Sequence, residues 1–398
     1  MTYPSKVTWI FLLGFALDLV NMFVATIAYP DIARELHASV TQLAWISNAY
    51  MLGLTLIIPL SVWLAAALGE RRLIAASLLL FGVASVLVGQ AGSIEALIGW
   101  RLLQGLGGGL LIPVGQALAY RHFAPQDRSQ LTAKVMSVAL LVPALSPALG
   151  GLVVDSVSWR WIFYANVPLV LITLLLTLLW LKADTPSSVR APLDLASVFR
   201  QISSPMLRVA MWVYLFIPGV FIGTSLIAIL YLRNLGFDAT HTGALMLPWA
   251  LASAMAIALS KKLFNRCGPR PLLLVGMALQ CIGILLLITL QPAQPLLAIL
   301  AYALMGLGGS LCSSTAQTLA FLDIPAERMG HASALWNINR QLSFCLGAAL
   351  LSALLAALDS FTVTFVTAAA LTLLPLFAVL RLDASRVRAL LHPQPEYS

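Results

Sequence analysis

Three polar side chains sit where apolar sequence surrounds them: Asp18, Asn21 one helical turn later, and Arg101. An arginine inside a hydrocarbon span costs several kcal/mol unless it is paired or faces water, so it marks function by default. Counting 1.5 Å per residue from Val7, Asp18 lies about 15 Å below one membrane surface. Arg101, on a run of opposite direction beginning near Glu95, lies roughly 20 Å below that same surface, level with Asn21. A guanidinium reaches either residue if the two runs face one cavity. Asp18 is the only carboxylate that this arithmetic places deep. Desolvation favours its neutral form and a nearby Arg⁺ its ionised form, and a carboxylate held between those influences is a candidate proton carrier. The alternative is a permanent Asp18–Arg101 ion pair that fastens one helix to another.

Other polar groups at membrane depth suit contact with a solute. Gln104 and Gln116 lie on the same run as Arg101, Ser313 and Gln317 on a run rich in hydroxyls, and Tyr214 beside Trp212 and Phe221. With Asn21 they form the expected lining of a substrate cavity, although hydroxyls and amides also hold helices together. Arg340, among Asn337, Asn339 and Gln341, is expected either to hydrogen-bond carbonyls across a helix interface or to meet an anion. The glycines 105 and 107–109, and the group Pro147, Gly150 and Gly151, permit close approach and bending, as a moving seam requires. No metal-ligand spacing, nucleophile elbow or phosphate loop occurs, so neither cofactor nor metal is expected.

The elements that hold these groups follow from composition. The chain is 60% hydrophobic and only 10% charged, with a mean hydropathy of +0.94. Soluble domains carry roughly 25% charged residues, so a water-soluble fold is excluded. The net charge of +8 sits in short loops between apolar runs, which points to membrane topology and away from nucleic acid. Runs long enough to span a bilayer fall near 8–29, 43–66, 72–90, 95–120, 130–154, 160–181, 207–232, 241–262, 270–290, 295–320, 329–357 and 360–381. Of the 23 Lys and Arg, only Arg34, Arg160 and Arg233 fall on one side, and Arg101 and Arg340 lie within the membrane. All the others fall on the opposite side, which places both termini in the cytoplasm.

The longest polar segment splits the runs six and six, giving an expected N-terminal bundle 1–182, a linker 183–205 and a C-terminal bundle 206–398 with a short tail. The bundles repeat in sequence. Gly105-Leu106-Gly107-Gly108 recurs as Gly306-Leu307-Gly308-Gly309, Gln116 as Gln317, Pro125-Gln126-Asp127-Arg128 as Pro325-Ala326-Glu327-Arg328, and Gly69-Glu70-Arg71 as Gly268-Pro269-Arg270. Two parallel six-helix repeats with a site between them at mid-membrane form a transporter architecture. The fold class is therefore all-α integral membrane, in two pseudo-symmetric bundles.

These residues resemble the major facilitator superfamily, and within it the drug:proton antiporters. Trp100-Arg101-Leu102-Leu103-Gln104-Gly105-Leu106-Gly107 is similar to the family's helix-4 motif, whose arginine is tied to proton coupling. Leu145-Ser146-Pro147-Ala148-Leu149-Gly150-Gly151 resembles the antiporter motif of helix 5, with Ser146 where glycine is usual. The stretch from Ser158 to Phe163, continuing to Asn166-Val167-Pro168, resembles the start of helix 6 in the fourteen-helix drug exporters, as do Asn339-Arg340-Gln341-Leu342 and Trp45 to Leu52. Twelve spans are expected here, not fourteen. The subgroup's helix-1 acid falls nine residues before a proline, which lands on Asn21, so the carboxylate has moved one turn to Asp18. The loop 2–3 motif retains Gly69, Glu70, Arg71 and Arg72 but has Ala66 and Ala67 where the acid and arginine that help lock the cytoplasmic side are usual.

The resemblance implies a proton-coupled exporter of lipophilic or amphipathic molecules, a monomer of the bacterial inner membrane whose partners are a small molecule, protons and lipid. A metabolite or amino-acid permease of the same fold is an alternative. A membrane sensor or scaffold that has lost turnover is another, and an enzyme is not expected.

Overall fold

A computed structural model describes residues 1–183, 195–236, 245–291 and 295–391. These residues are overwhelmingly helical, with no strand among them. A bilayer explains why: hydrocarbon offers backbone amides no partner, so each segment must satisfy its own hydrogen bonds. The long helices are α1 (Tyr3–Val24), α2 (Val40–Ile57), α3 (Glu70–Gly89), α4 (Ile94–Arg121), α5 (Arg128–Ser156), α6 (Asn166–Trp180), α7 (Pro205–Asn234), α8 (Met246–Cys267), α9 (Pro269–Ile288), α10 (Pro295–Ala320), α11 (Met329–Leu358) and α12 (Phe361–Leu373). A 3₁₀ turn at Ile58–Leu60 carries α2 on into a helix over Ser61–Leu68.

Eleven spans among the described residues are long and apolar enough to cross a membrane. Where the sequence predicts the eighth, α8 supplies 22 helical residues, but its last turns carry Lys261, Lys262 and Arg266 and dilute its apolar stretch. The part of that expected span over 241–244 lies outside the described residues, as do 184–194 of the linker and 392–398 of the tail.

Helix ends follow local chemistry. Ser39 and Gln42 form a reciprocal capping box at the start of α2, and Ser93 caps α4 by accepting from the Ala96 amide. Gly69, before α3, and Gly268, before α9, both adopt positive φ (88° and 76°), a conformation only glycine takes without strain. That equivalence matches the sequence repeat. Large apolar side chains on α3 (Leu79, Val83), α6 (Leu171, Leu175) and α12 (Val363, Val366) remain exposed, as a lipid-facing surface requires.

The chain packs as two compact units. Unit 1 comprises Met1–Phe123, Val138–Gln201 and Pro325–Ile338; unit 2 comprises Ala124–Ser137, Ile202–Ile324 and Asn339–Ser398. The opening turns of α5 thus group with unit 2 and those of α11 with unit 1, at repeat-related positions. In unit 1, α4 is the central helix, buried along most of its length. Its glycines set that packing: a Cβ on Gly105 would stand 2.1 Å from the Tyr50 carbonyl oxygen, and one on Gly107 2.8 Å from the Phe81 nitrogen. Unit 2 repeats the device, with Gly306 against the Trp249 carbonyl at 2.4 Å and Gly308 against the Gln280 nitrogen at 2.4 Å. Small residues that bring helix backbones together are the usual means of association where lipid removes the hydrophobic drive between helices.

Candidate functional site

Close packing of α2 on α4 delivers Tyr50 to the centre of unit 1. Its hydroxyl donates to Asp18 Oδ1 at 2.5 Å, and its ring lies 4.4 Å from the Arg101 guanidinium carbon, a cation–π distance. Asp18, Tyr50 and Arg101 are all essentially inaccessible to solvent. The Phe163 ring stands 5.7 Å from the same guanidinium.

Arg101 spends its hydrogen bonds on α1, α2 and its own helix. Nε donates to the Ile46 carbonyl at 3.1 Å, and one terminal nitrogen donates to Asn21 Oδ1 at 3.3 Å and Gln104 Oε1 at 2.6 Å. The other donates to the Asn21 carbonyl at 3.3 Å. Asn21 Oδ1 also accepts from Gln104 at 3.0 Å and from Asn166 of α6 at 3.4 Å, and Gln104 donates in addition to Ser85 of α3 at 2.8 Å. Residues from α1, α2, α3, α4 and α6 therefore meet in one buried polar cluster. A buried charge is tolerable only when such partners replace its hydration.

The match to known proteins is extensive. The family model described as Major Facilitator Superfamily covers residues 10–348. The chain belongs to the Major Facilitator Superfamily. The Multidrug resistance protein Stp of Mycobacterium tuberculosis is 27% identical to it, across 87% of this chain and 74% of that one. The Multidrug export protein EmrB of Haemophilus influenzae is 35% identical over a shorter stretch, 45% of this chain and 35% of its own. Among solved structures, the human organic anion transporter MFSD10 superposes with a TM-score of 0.76 at 17% identity, covering 95% of this chain and all of that one, a likeness of fold. The protein is a multi-pass membrane transporter and not an enzyme.

The transporter's remaining predicted site residues are distributed more widely. Gln116 of α4 accepts at Oε1 from Ser333 Oγ (2.8 Å) and Asn337 Nδ2 (2.7 Å), so these three join within unit 1. In unit 2, Tyr214, Ser313, Gln317 and Arg340 are buried. The Tyr214 carbonyl accepts from Ser343 Oγ at 2.7 Å, and Asn339 donates to the Met211 carbonyl at 3.1 Å, tying α7 to α11. Gly150 packs on Val24 of α1, whereas a Cβ on Gly151 would meet nothing within 4 Å. Pro147 lies in α5, and its side chain is outside the described residues.

The loop motif lines a cavity of about 410 Å³ in unit 1, bounded by Gly69, Glu70, Arg71, Arg121, Lys182, Glu327 and His331 among others. Glu70 pairs with Arg121 at 2.9 Å, Arg71 donates to the Leu178 carbonyl at 2.5 Å, and Arg72 is exposed. At the opposite end of the bundle, Glu35 binds Arg160 at 2.6 Å and accepts from Trp159 Nε1 at 2.7 Å, while Arg160 also donates to the Gly89 and Ala91 carbonyls. Those hydrogen bonds, Trp159 first and Arg160 second, hold the Glu35 carboxyl below its ordinary range.

Sequence reasoning missed Tyr50, Ser85 and Asn166 as members of the cluster. Ser85 gives little signal in a membrane helix. A tyrosine well inside the second expected span is a signal that could have been used, because a buried phenol needs a hydrogen-bond partner.

Proposed function

We propose that this protein is a proton-coupled exporter of lipophilic or amphipathic molecules in a bacterial inner membrane, with both termini cytoplasmic. The observation that carries the reading is the inaccessible Asp18, joined through Tyr50 to an inaccessible Arg101. Relatives named for multidrug resistance and export support the substrate class. In this scheme Asp18 alternates between neutral and ionised, and Arg101, oriented by Asn21 and Gln104, tunes it. Tyr214, Ser313 and Gln317 supply polar contacts to the substrate. The two sequence repeats, 1–182 and 206–398, alternate access, and helix α5 around Pro147 and Gly150 seals the path. Gln116 and Asn337 hold the first turns of α11 during part of that cycle. One charge moved through 100 mV is worth about 2.3 kcal/mol, enough for electrogenic exchange to sustain a gradient.

The test is efflux of a lipophilic cation, ethidium, from proteoliposomes under an imposed pH gradient. Asp18→Asn is expected to abolish the component driven by the gradient while ethidium still binds. Undiminished pH-driven efflux in that variant removes the carrier role.

A further inference from the structure

We propose that Tyr50 is the positioning residue that couples Arg101 to Asp18, its hydroxyl holding the carboxylate ionised and its ring seating the guanidinium. The inference deepens the proton-carrier reading and rests on it for its meaning in transport, although the contacts themselves do not. Three observations carry it. The hydroxyl donates to Asp18 Oδ1 at 2.5 Å, a close hydrogen bond. The opposite side of the same residue lies 4.4 Å from the Arg101 guanidinium carbon. The backbone at Tyr50 is pinned, because Gly105 lets its carbonyl oxygen approach to where a Cβ would sit at 2.1 Å.

Glycine also shapes the slot for the hydroxyl. A Cβ on Gly108 would stand 3.0 Å from the Tyr50 oxygen, so the side chain occupies space that an alanine at 108 would contest. One aromatic residue thus touches both charged groups and has little freedom to leave either. A hydrogen bond donated to the ionised form of an acid favours that form, so the hydroxyl sets the pH at which Asp18 takes up a proton.

Tyr50 reaches Asp18 from α2, and Arg101 of α4 is the charged group on the other side of the Tyr50 ring. The amides of Asn21, Gln104 and Asn166, and the Ser85 hydroxyl, complete the cluster without titrating. Substitution at position 50 therefore changes one contact of the carboxylate and leaves the cationic partner in the chain.

The experiment is infrared titration of the full-length protein in lipid bilayers, following the carbonyl stretch of the protonated carboxyl. Asp18→Asn identifies the band. Tyr50→Phe keeps the ring under Arg101 and removes only the hydroxyl, and the Asp18 band is then expected to titrate about one pH unit higher. Gly108→Ala keeps the tyrosine in the chain but crowds its hydroxyl at 3.0 Å, and displacing that hydroxyl from Oδ1 is expected to move the band in the same direction. It serves as the second route if Tyr50→Phe does not yield folded protein. A titration that is unchanged, or moved downward, in the folded variants overturns the proposal. The readout involves no transport, so failure of Asp18→Asn to abolish pH-driven efflux sinks the carrier reading and leaves this test standing.

Discussion

Replacing Arg101 by lysine separates charge from geometry. The guanidinium makes four hydrogen bonds, to the Ile46 carbonyl, Asn21 Oδ1, the Asn21 carbonyl and Gln104 Oε1, and lies over the Tyr50 ring. A lysine ammonium keeps the charge but has fewer donors, no planar fork and no face to stack. It cannot reach acceptors spread over α1, α2 and α4 at once, so at least two of the four bonds are lost. Hydrogen bonds to a charged group contribute about 1.5–3 kcal/mol each, which puts the cost at roughly 3–6 kcal/mol. The apparent melting temperature in detergent is expected to fall by on the order of 10 °C. Arg101→Met, which removes the charge and all four of these bonds while Asn21 Oδ1 keeps Gln104 and Asn166 as donors, is expected to lower it by a similar amount. If Arg101→Lys melts within a degree or two of the parent and retains pH-driven ethidium efflux, the charge alone suffices and the geometric argument is wrong.

Two further predictions concern packing and pH. Gly105→Ala places a methyl 2.1 Å from the Tyr50 carbonyl oxygen, a backbone atom that cannot step aside, and is expected to cost about 3 kcal/mol or more and reduce the yield of monodisperse protein. Gly151→Ala, with nothing within 4 Å of the new methyl, is expected to be neutral or stabilising by up to about 1 kcal/mol, since alanine favours helix; comparable loss in both variants would discredit the packing account. Glu35 is held below its reference value of 4.5, so its stabilising contribution is fully present above that pH and is lost as pH falls through the lower folded-state value. Glu35→Gln is therefore expected to lower the melting temperature at neutral pH, with the difference from the parent closing as pH falls below 4.5 and through the lower folded-state value. A difference that persists unchanged into acid would show that Glu35 acts through packing.

The spans, the repeat and the burial of Asp18 and Arg101 were legible in sequence because each follows from position along the chain. Apolar length reports a bilayer, and rise per residue converts position into depth. Partner choice was not legible. Depth left Arg101 free to meet Asp18 or Asn21, and the structure shows three donors converging on Asn21 Oδ1, an outcome that depends on how far each helix is rotated about its axis. Helix α4 is buried on almost every side, so its sequence has no polar stripe from which to read a facing direction. The same gap explains Gln116 and Asn337, which lie 221 positions apart and meet through packing that no local pattern encodes.

Comparison of the two repeats separates scaffold from chemistry. Gly105 and Gly306 each receive a carbonyl from the neighbouring helix, Tyr50 in one unit and Trp249 in the other, and Gly107 and Gly308 each receive a backbone nitrogen. The packing device is therefore duplicated almost atom for atom. The side chains at the equivalent positions are not: the offset that maps Gly105 onto Gly306 maps Arg101 onto Tyr302, which is buried in an apolar cluster with Met305 and Ala301. Tyrosine stands at 50 and tryptophan at the matching carbonyl, so the hydroxyl that touches Asp18 has no counterpart at Trp249. A duplicated scaffold needs only small residues at fixed spacing, which leaves neighbouring positions free to diverge. If proton coupling is confined to unit 1, transplanting charge into the second repeat by Tyr302→Arg creates a buried cation without the Asn21, Gln104 and Tyr50 equivalents that make Arg101 tolerable. An unpaired buried charge of that kind costs several kcal/mol, and this is a sufficient reason for the asymmetry to persist.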